Sequence, residues 1–167
     1  MKKEKKAQIS TTDMMVATII FAVLVTVIML SWHNYSSKLQ VKLEREAIIS
    51  QAIEITDNMV RTSGTPSAWN RTNVQLIGLA STDRKISKEK VQEFCNISYN
   101  ESRKKLNSQY QFHFYISLYN VTQEKWYRDV ECGLDPENES DVKKVVNLAR
   151  PIIYKNETAL FGFSLWR

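Results

Sequence analysis

The sequence predicts an α+β protein, with a long N-terminal helix followed by a small, mainly antiparallel β-sheet domain. Three observations carry that expectation. Residues 14–32 form an uninterrupted apolar run, residues 33–60 contain no glycine or proline, and residues 109–119 alternate with period two. At 167 residues, one folded domain plus an extension is the natural size.

The first element is the apolar run, MMVATIIFAVLVTVIMLSW, which has 19 positions without a charge, glycine or proline. As a helix it is roughly 28 Å long, about the thickness of a bilayer's hydrocarbon core. A run of this length is too long for an ordinary strand. No other segment is apolar enough to wrap it as a buried core helix, so it reads as a membrane span.

Charge sets its expected orientation. Residues 1–7 (MKKEKKA) carry four lysines and one glutamate, a net of +3. After the span Lys38, Lys42 and Arg45 are more spread out. The positive-inside rule then places the N-terminus in the cytoplasm and the rest outside the cell membrane. Trp32 and Tyr35 fall where an outer aromatic belt lies. The pI of about 9.2 is largely a property of the leader, and no nucleic-acid-binding pattern accompanies it.

Two further features suit an exterior domain. Seven Asn-x-Ser/Thr sequons occur, at Asn34, Asn70, Asn96, Asn100, Asn120, Asn138 and Asn156. Roughly two would be expected by chance from the Asn, Ser and Thr content, so these are candidate N-glycosylation sites. The only cysteines, Cys95 and Cys132, allow one disulfide or two unrelated buried thiols.

The helical stripe continues beyond the span. Ile48, Ala52, Ile55 and Met59 recur at helical spacing, with Ile49, Ile53 and Val60 widening the stripe. A helix from about Asp13 to Val60 is on the order of 70 Å long at the standard rise. One small domain cannot bury all of its apolar surface. The outer half should hold the domain, and the inner half needs lipid or other copies of itself. Gly64 and Pro66 then break the helix.

Ser87 can cap a helix running to about Cys95, and Asn100 a second through Leu106. From Gln109 to Tyr119 the residues Tyr110, Phe112, Phe114, Ile116 and Leu118 face one way, and His113, Ser117 and their neighbours face solvent. Residues 125–131 are the expected hairpin partner. Residues 133–140 (GLDPENES) form a polar loop, and 143–154 and 158–166 a second hairpin about Lys155-Asn156-Glu157. If Cys95 and Cys132 are bonded, closing the loop adds about 3–4 kcal/mol in the chain-entropy model.

The leader itself is informative. Residues 5–13 read Lys-Lys-Ala-Gln-Ile-Ser-Thr-Thr-Asp. This resembles the class III signal peptide of archaeal type IV pilin-like proteins. The resemblance implies cutting by a prepilin-type signal peptidase, with Ala7 the last leader residue and Gln8 the first mature one. Ser10 and Asp13 take the downstream roles. The family more often has glycine at the place of Ala7, and a glutamate at the place of Thr12, so Asp13 stands one residue late. A secretory signal fits less well, because the apolar run is long and bulky residues follow it.

The order of Gly64-x-Pro66-x-x-Trp69, Ile77-Gly-Leu-Ala80, Asp83-Arg84 and Ile86-Ser-Lys-Glu-Lys90 is similar to a module in the soluble part of the same family. Read residue by residue, the words are a turn, a buried Trp anchor and a strand with a glycine. The resemblance implies a leader at 1–7, an N-terminal helix at 8–60 including the span at 14–32, and an extracellular domain at 61–167. It also implies a subunit processed at Ala7–Gln8 and joined to other pilin-like subunits through its helix. Asp13 would set register against the free amine of Gln8 in a neighbour.

A non-polymerising single-pass surface protein for adhesion or recognition is the alternative. No nucleophile with a base, carboxylate pair or metal-ligand spacing points to catalysis, so no enzyme, cofactor or metal is expected. His33 and His113 are far apart in sequence, with His113 expected on an exposed strand face. Arg103-Lys104-Lys105 reads as a solvated helix face.

Overall fold

The structure is a computed structural model that describes residues 5–167, with side chains from residue 11 onward. Ala7, Gln8 and Ser10 therefore lie outside the residues whose side chains are described. The chain divides into two compact units, one ending at Glu44 and the other covering Arg45–Arg167.

Helix α1 spans Lys5–Arg61. From Met14 to Leu30 its large apolar side chains other than Val25 are exposed, Phe21 by 68% and Met29 by 67%. The hydroxyls in this stretch are satisfied within the helix. Thr18 donates to the Met14 carbonyl at 2.7 Å and Thr26 to that of Ala22 at 2.8 Å. Such back-bonding removes the need for water, as a lipid setting demands.

The second unit contains the last turns of α1 and a curled, mostly antiparallel six-stranded sheet. In chain order it adds β1 (Ala80–Thr82), β2 (Lys85–Ile86), α2 (Lys88–Cys95), α3 (Tyr99–Lys105), β3 (Gln111–Asn120), β4 (Lys125–Gly133), β5 (Val145–Tyr154) and β6 (Glu157–Trp166). A short 3-10 turn at Pro136–Asn138 sits between β4 and β5. The sheet order is β1-β2-β5-β6-β3-β4, and only β2 and β5 pair in parallel. The architecture is α+β, as the residue patterns predict. The strand with a glycine expected at Ile77–Ala80 is extended chain that enters β1 only at Ala80, and the two residues of β2 are too few to carry a periodicity.

The core follows from the stripes. Ile48, Ala52, Ile55 and Met59 of α1 share one buried cluster with Phe112, Phe114, Ile116 and Leu118 of β3 and with Phe161, Phe163 and Leu165 of β6. Register fixes the aromatic stack. Phe114 pairs with Phe163, and its ring lies 5.1 Å from Phe161 and 5.6 Å from Phe94, within the range of favourable aromatic contact.

The helix end is closed by backbone. Leu79 N–H donates to the Met59 carbonyl at 2.9 Å, Ala80 to Thr62 at 3.0 Å and Arg84 to Val60 at 3.1 Å. Gly64 reverses the chain with φ +78. Trp69, 4% exposed, donates its indole N–H to the Gly78 carbonyl at 2.8 Å. The words from Gly64 to Ala80 thus form a turn pinned by a buried tryptophan.

Two expectations are corrected. Ser98, not Asn100, is the N-cap residue of α3, and its hydroxyl meets Glu101 at 3.1 Å. The outward face of β3 is also not simply solvated, since His113 and Ser117 are buried. The Tyr115 ring packs so closely on Gly162 that a Cβ there would clash with its Cζ. Alternation in one strand cannot reveal such cover, which comes from β4 and β6.

Candidate functional site

The most distinctive surface is the α1 segment before Arg45. It is the one helix, among the described residues, long and apolar enough to cross a membrane, and none of its most apolar window is buried. Trp32 and Tyr35, 70% and 62% exposed, follow the apolar run. Asp13 is exposed at its start. His33 is also exposed, and its carbonyl accepts the Ser37 hydroxyl at 3.0 Å.

The remaining predicted residues all fall in surface or tethering positions. Cys95 of α2 and Cys132 of β4 are bonded, with Cα atoms 5.6 Å apart. Six sequon asparagines are exposed and Asn120 is half-buried. Asn70 and Asn120 fold into local turns, their side-chain oxygens accepting from Thr72 N–H at 2.9 Å and Thr122 N–H at 2.9 Å.

The basic triplet on α3 is less solvated than its charge suggests. Lys105 reaches the Val74 carbonyl at 2.5 Å and Arg103 the Gln111 side chain at 3.3 Å, while Lys104 remains exposed. Charged tips on apolar stems commonly latch neighbouring carbonyls in this way.

His113 carries the chief surprise. It is 3% exposed, and its Nε2 lies 2.7 Å from Glu131 Oε1. An ionised carboxylate only accepts, so that nitrogen bears the hydrogen. Asp135 completes a group whose potential ligand atoms lie within 4.8 Å of one another. Arg128 occupies the same place, with Nη1 2.8 Å from Glu131 and 3.9 Å from Asp135, and its guanidinium lies 4.9 Å from the Tyr115 ring centre. The guanidinium supplies the positive charge that a metal would bring. The cluster is a hydrogen-bonded ion network that seals the outer face of β3. No sequence signal joined these residues, because Glu131 reaches His113 only through the β3–β4 register.

A second network closes the other end of the sheet. Lys155, in the β5–β6 turn, contacts both oxygens of Asp129 at 2.8 Å. The hydrogen bond to Asp129 raises the Lys155 pKa. Burial raises that of the Tyr154 phenol, with Asp129 and Glu89 adding to it and Lys155 opposing. Lys90 bridges the Ser63 and Ala80 carbonyls at 2.6 and 3.3 Å, and burial lowers its pKa. These contacts bind loops to the sheet; none places a nucleophile beside a base.

The described chain is therefore a long exposed apolar helix followed by a curled, disulfide-tied β-sheet domain, an arrangement compatible with a pilin-like fold. No family model matches the chain, and comparison with curated proteins and with solved structures returns no match to either.

Proposed function

We propose that this chain is a type IV pilin-like structural subunit of a cell-surface filament, similar to the archaeal proteins with class III signal peptides. One observation carries the reading. The apolar segment of α1 is exposed along its length, while the Arg45–Arg167 unit completes its own core without it. Such a segment requires a partner outside the chain, first lipid and then the same segment of other copies.

In this reading a prepilin-type peptidase cuts between Ala7 and Gln8 and removes the cytoplasmic lysines. The helix keeps its domain but loses the charges that hold it across the membrane. Asp13 pairs with the new amine of Gln8 in a neighbour, because a carboxylate at the edge of an apolar bundle is costly unless paired. The sequon asparagines carry sugar on the outer surface, and the disulfide suits the same oxidising side.

N-terminal sequencing of the protein from its membrane, together with purification of surface filaments, tests the proposal. A start at Gln8 in shed filaments is expected. A start at Met1 in an exclusively membrane-bound protein would instead establish a single-pass anchored surface protein. Asp13→Ala is expected to allow cleavage while reducing assembly, and unchanged filament yield would remove its register role.

A further inference from the structure

The C-terminal end of α1 borders a cavity of about 120 Å³ lined by Asp57, Val60, Arg61, Arg84, Arg150 and Pro151. Three arginines and one aspartate are among its lining residues. Asp57 is engaged by Arg150 at 2.8 Å, so two arginine charges at the cavity have no acidic partner in it. The arginines come from three elements far apart in sequence: the last turn of α1, the β1–β2 turn and β5.

Their placement is fixed by backbone rather than chance. Arg84 adopts φ 58, donates its N–H to Val60 and accepts at its carbonyl from Ile153 N–H at 2.8 Å. That ties the β1–β2 turn to both α1 and β5. Cations near a helix C-terminus usually answer its unsatisfied carbonyls. Here backbone N–H groups from Thr62, Leu79 and Arg84 already fill the carbonyls of Asn58, Met59 and Val60. The positive charge is not needed to cap the helix.

We infer that this cavity is a binding site for a small tetrahedral oxyanion, of the phosphate or sulfate class. Guanidinium groups present planar, forked donors that match such oxygens, and charge-assisted hydrogen bonds are the strong ones. The volume suits one such group rather than an extended ligand. Arg61 and Arg84 are its principal donors. Arg150 is divided between the ligand and Asp57, which makes Asp57 a built-in competitor.

The test uses the full-length chain in detergent micelles, titrated with inorganic phosphate and separately with sulfate. Sodium chloride holds the ionic strength constant. Binding is read from arginine side-chain NMR shifts and from the thermal midpoint. Saturable binding is expected, with Arg61→Gln and Arg84→Gln each weakening it about tenfold, the scale of one lost charged hydrogen bond. Asp57→Asn is expected to tighten binding severalfold by freeing Arg150. Because Arg61 is exposed at the helix end, its substitution keeps the test valid should the Arg84 variant fold poorly. Equal response to chloride alone, or unchanged binding in Arg61→Gln with no gain in Asp57→Asn, would overturn the assignment. Free phosphate and a phosphorylated surface polymer share this chemistry, and competition of the polymer with inorganic phosphate separates them.

Discussion

The two halves of α1 are similar in local structure and opposite in circumstance. Between Ile48 and Val60 the side chains of Ile48, Ala52, Ile55, Met59 and Val60 are buried, Ala52 and Met59 fully so, whereas Ile53, expected to widen the stripe, is 41% exposed. Between Met14 and Leu30 the large apolar residues other than Val25 are more than half exposed. Helix propensity does not distinguish them; what differs is whether the same chain supplies a cover. The large apolar side chains of the first half are exposed, whereas the second half shares its core with β3 and β6. Stability and localisation should therefore respond to different substitutions.

The sharpest way to break the contrast is to damage the covered half alone. Phe114→Ala, at 0% exposure, removes a ring from the centre of the aromatic stack and should cost about 3–5 kcal/mol. Thermal unfolding of the Arg45–Arg167 unit should shift sharply down, with membrane fractionation of the chain unchanged. Replacing both cysteines by alanine should cost about 3–4 kcal/mol, given their separation of 37 residues. Reductant should reproduce that loss in the parent chain and not in the variant.

The converse substitution acts on the uncovered half. Leu24→Arg should add about 3 kcal/mol to membrane insertion. It should lower the membrane-bound fraction while leaving the unfolding midpoint of the Arg45–Arg167 unit in place. A large shift in that midpoint would show that the exposed segment does contribute to the domain's stability. Tyr99→Phe is a finer probe of the covered half. The Tyr99 hydroxyl donates to Gln111 at 2.5 Å and accepts from Phe112 N–H at 3.1 Å. Its loss should cost about 1–3 kcal/mol in urea unfolding, because the Phe112 donor is left unpaired.

The smallest effect expected is alkaline. Burial raises the phenol pKa values of Tyr99 and Tyr154 above their ordinary 10.0. The folded unit holds those protons where the unfolded chain has released them. Their stabilisation is thus complete below pH 10 and is lost as pH rises through the raised values. Lys155, also raised, acts in the same sense above its ordinary 10.5, while Lys90, lowered, opposes it just below that value. A thermal midpoint falling above pH 10, and falling less in Tyr154→Phe, would bear this out.

Much of this arrangement was legible in the order of residues. The seventeen uncharged positions from Met14 to Leu30, the spacing of Ile48, Ala52, Ile55 and Met59, and the alternation around Phe112–Leu118 each identify an element. Periods identify helices, strands and buried faces because side-chain direction repeats with the backbone. Ser87 as a helix cap and Gly64 as a stop are equally local, and both hold in the structure.

Only tertiary structure decided the rest, since the deciding partners are far apart in sequence. The two cysteines allowed a bond without requiring it, and the approach of α2 to β4 made it. His113 was expected in solvent and is instead covered, through a register that brings Glu131 and Arg128 to it. Asp57, Arg61, Arg84 and Arg150 share no motif, and the meeting of α1, the β1–β2 turn and β5 sets them around one cavity. Local sequence fixes what each segment prefers to bury. Long-range packing decides which charges meet once that burial is complete.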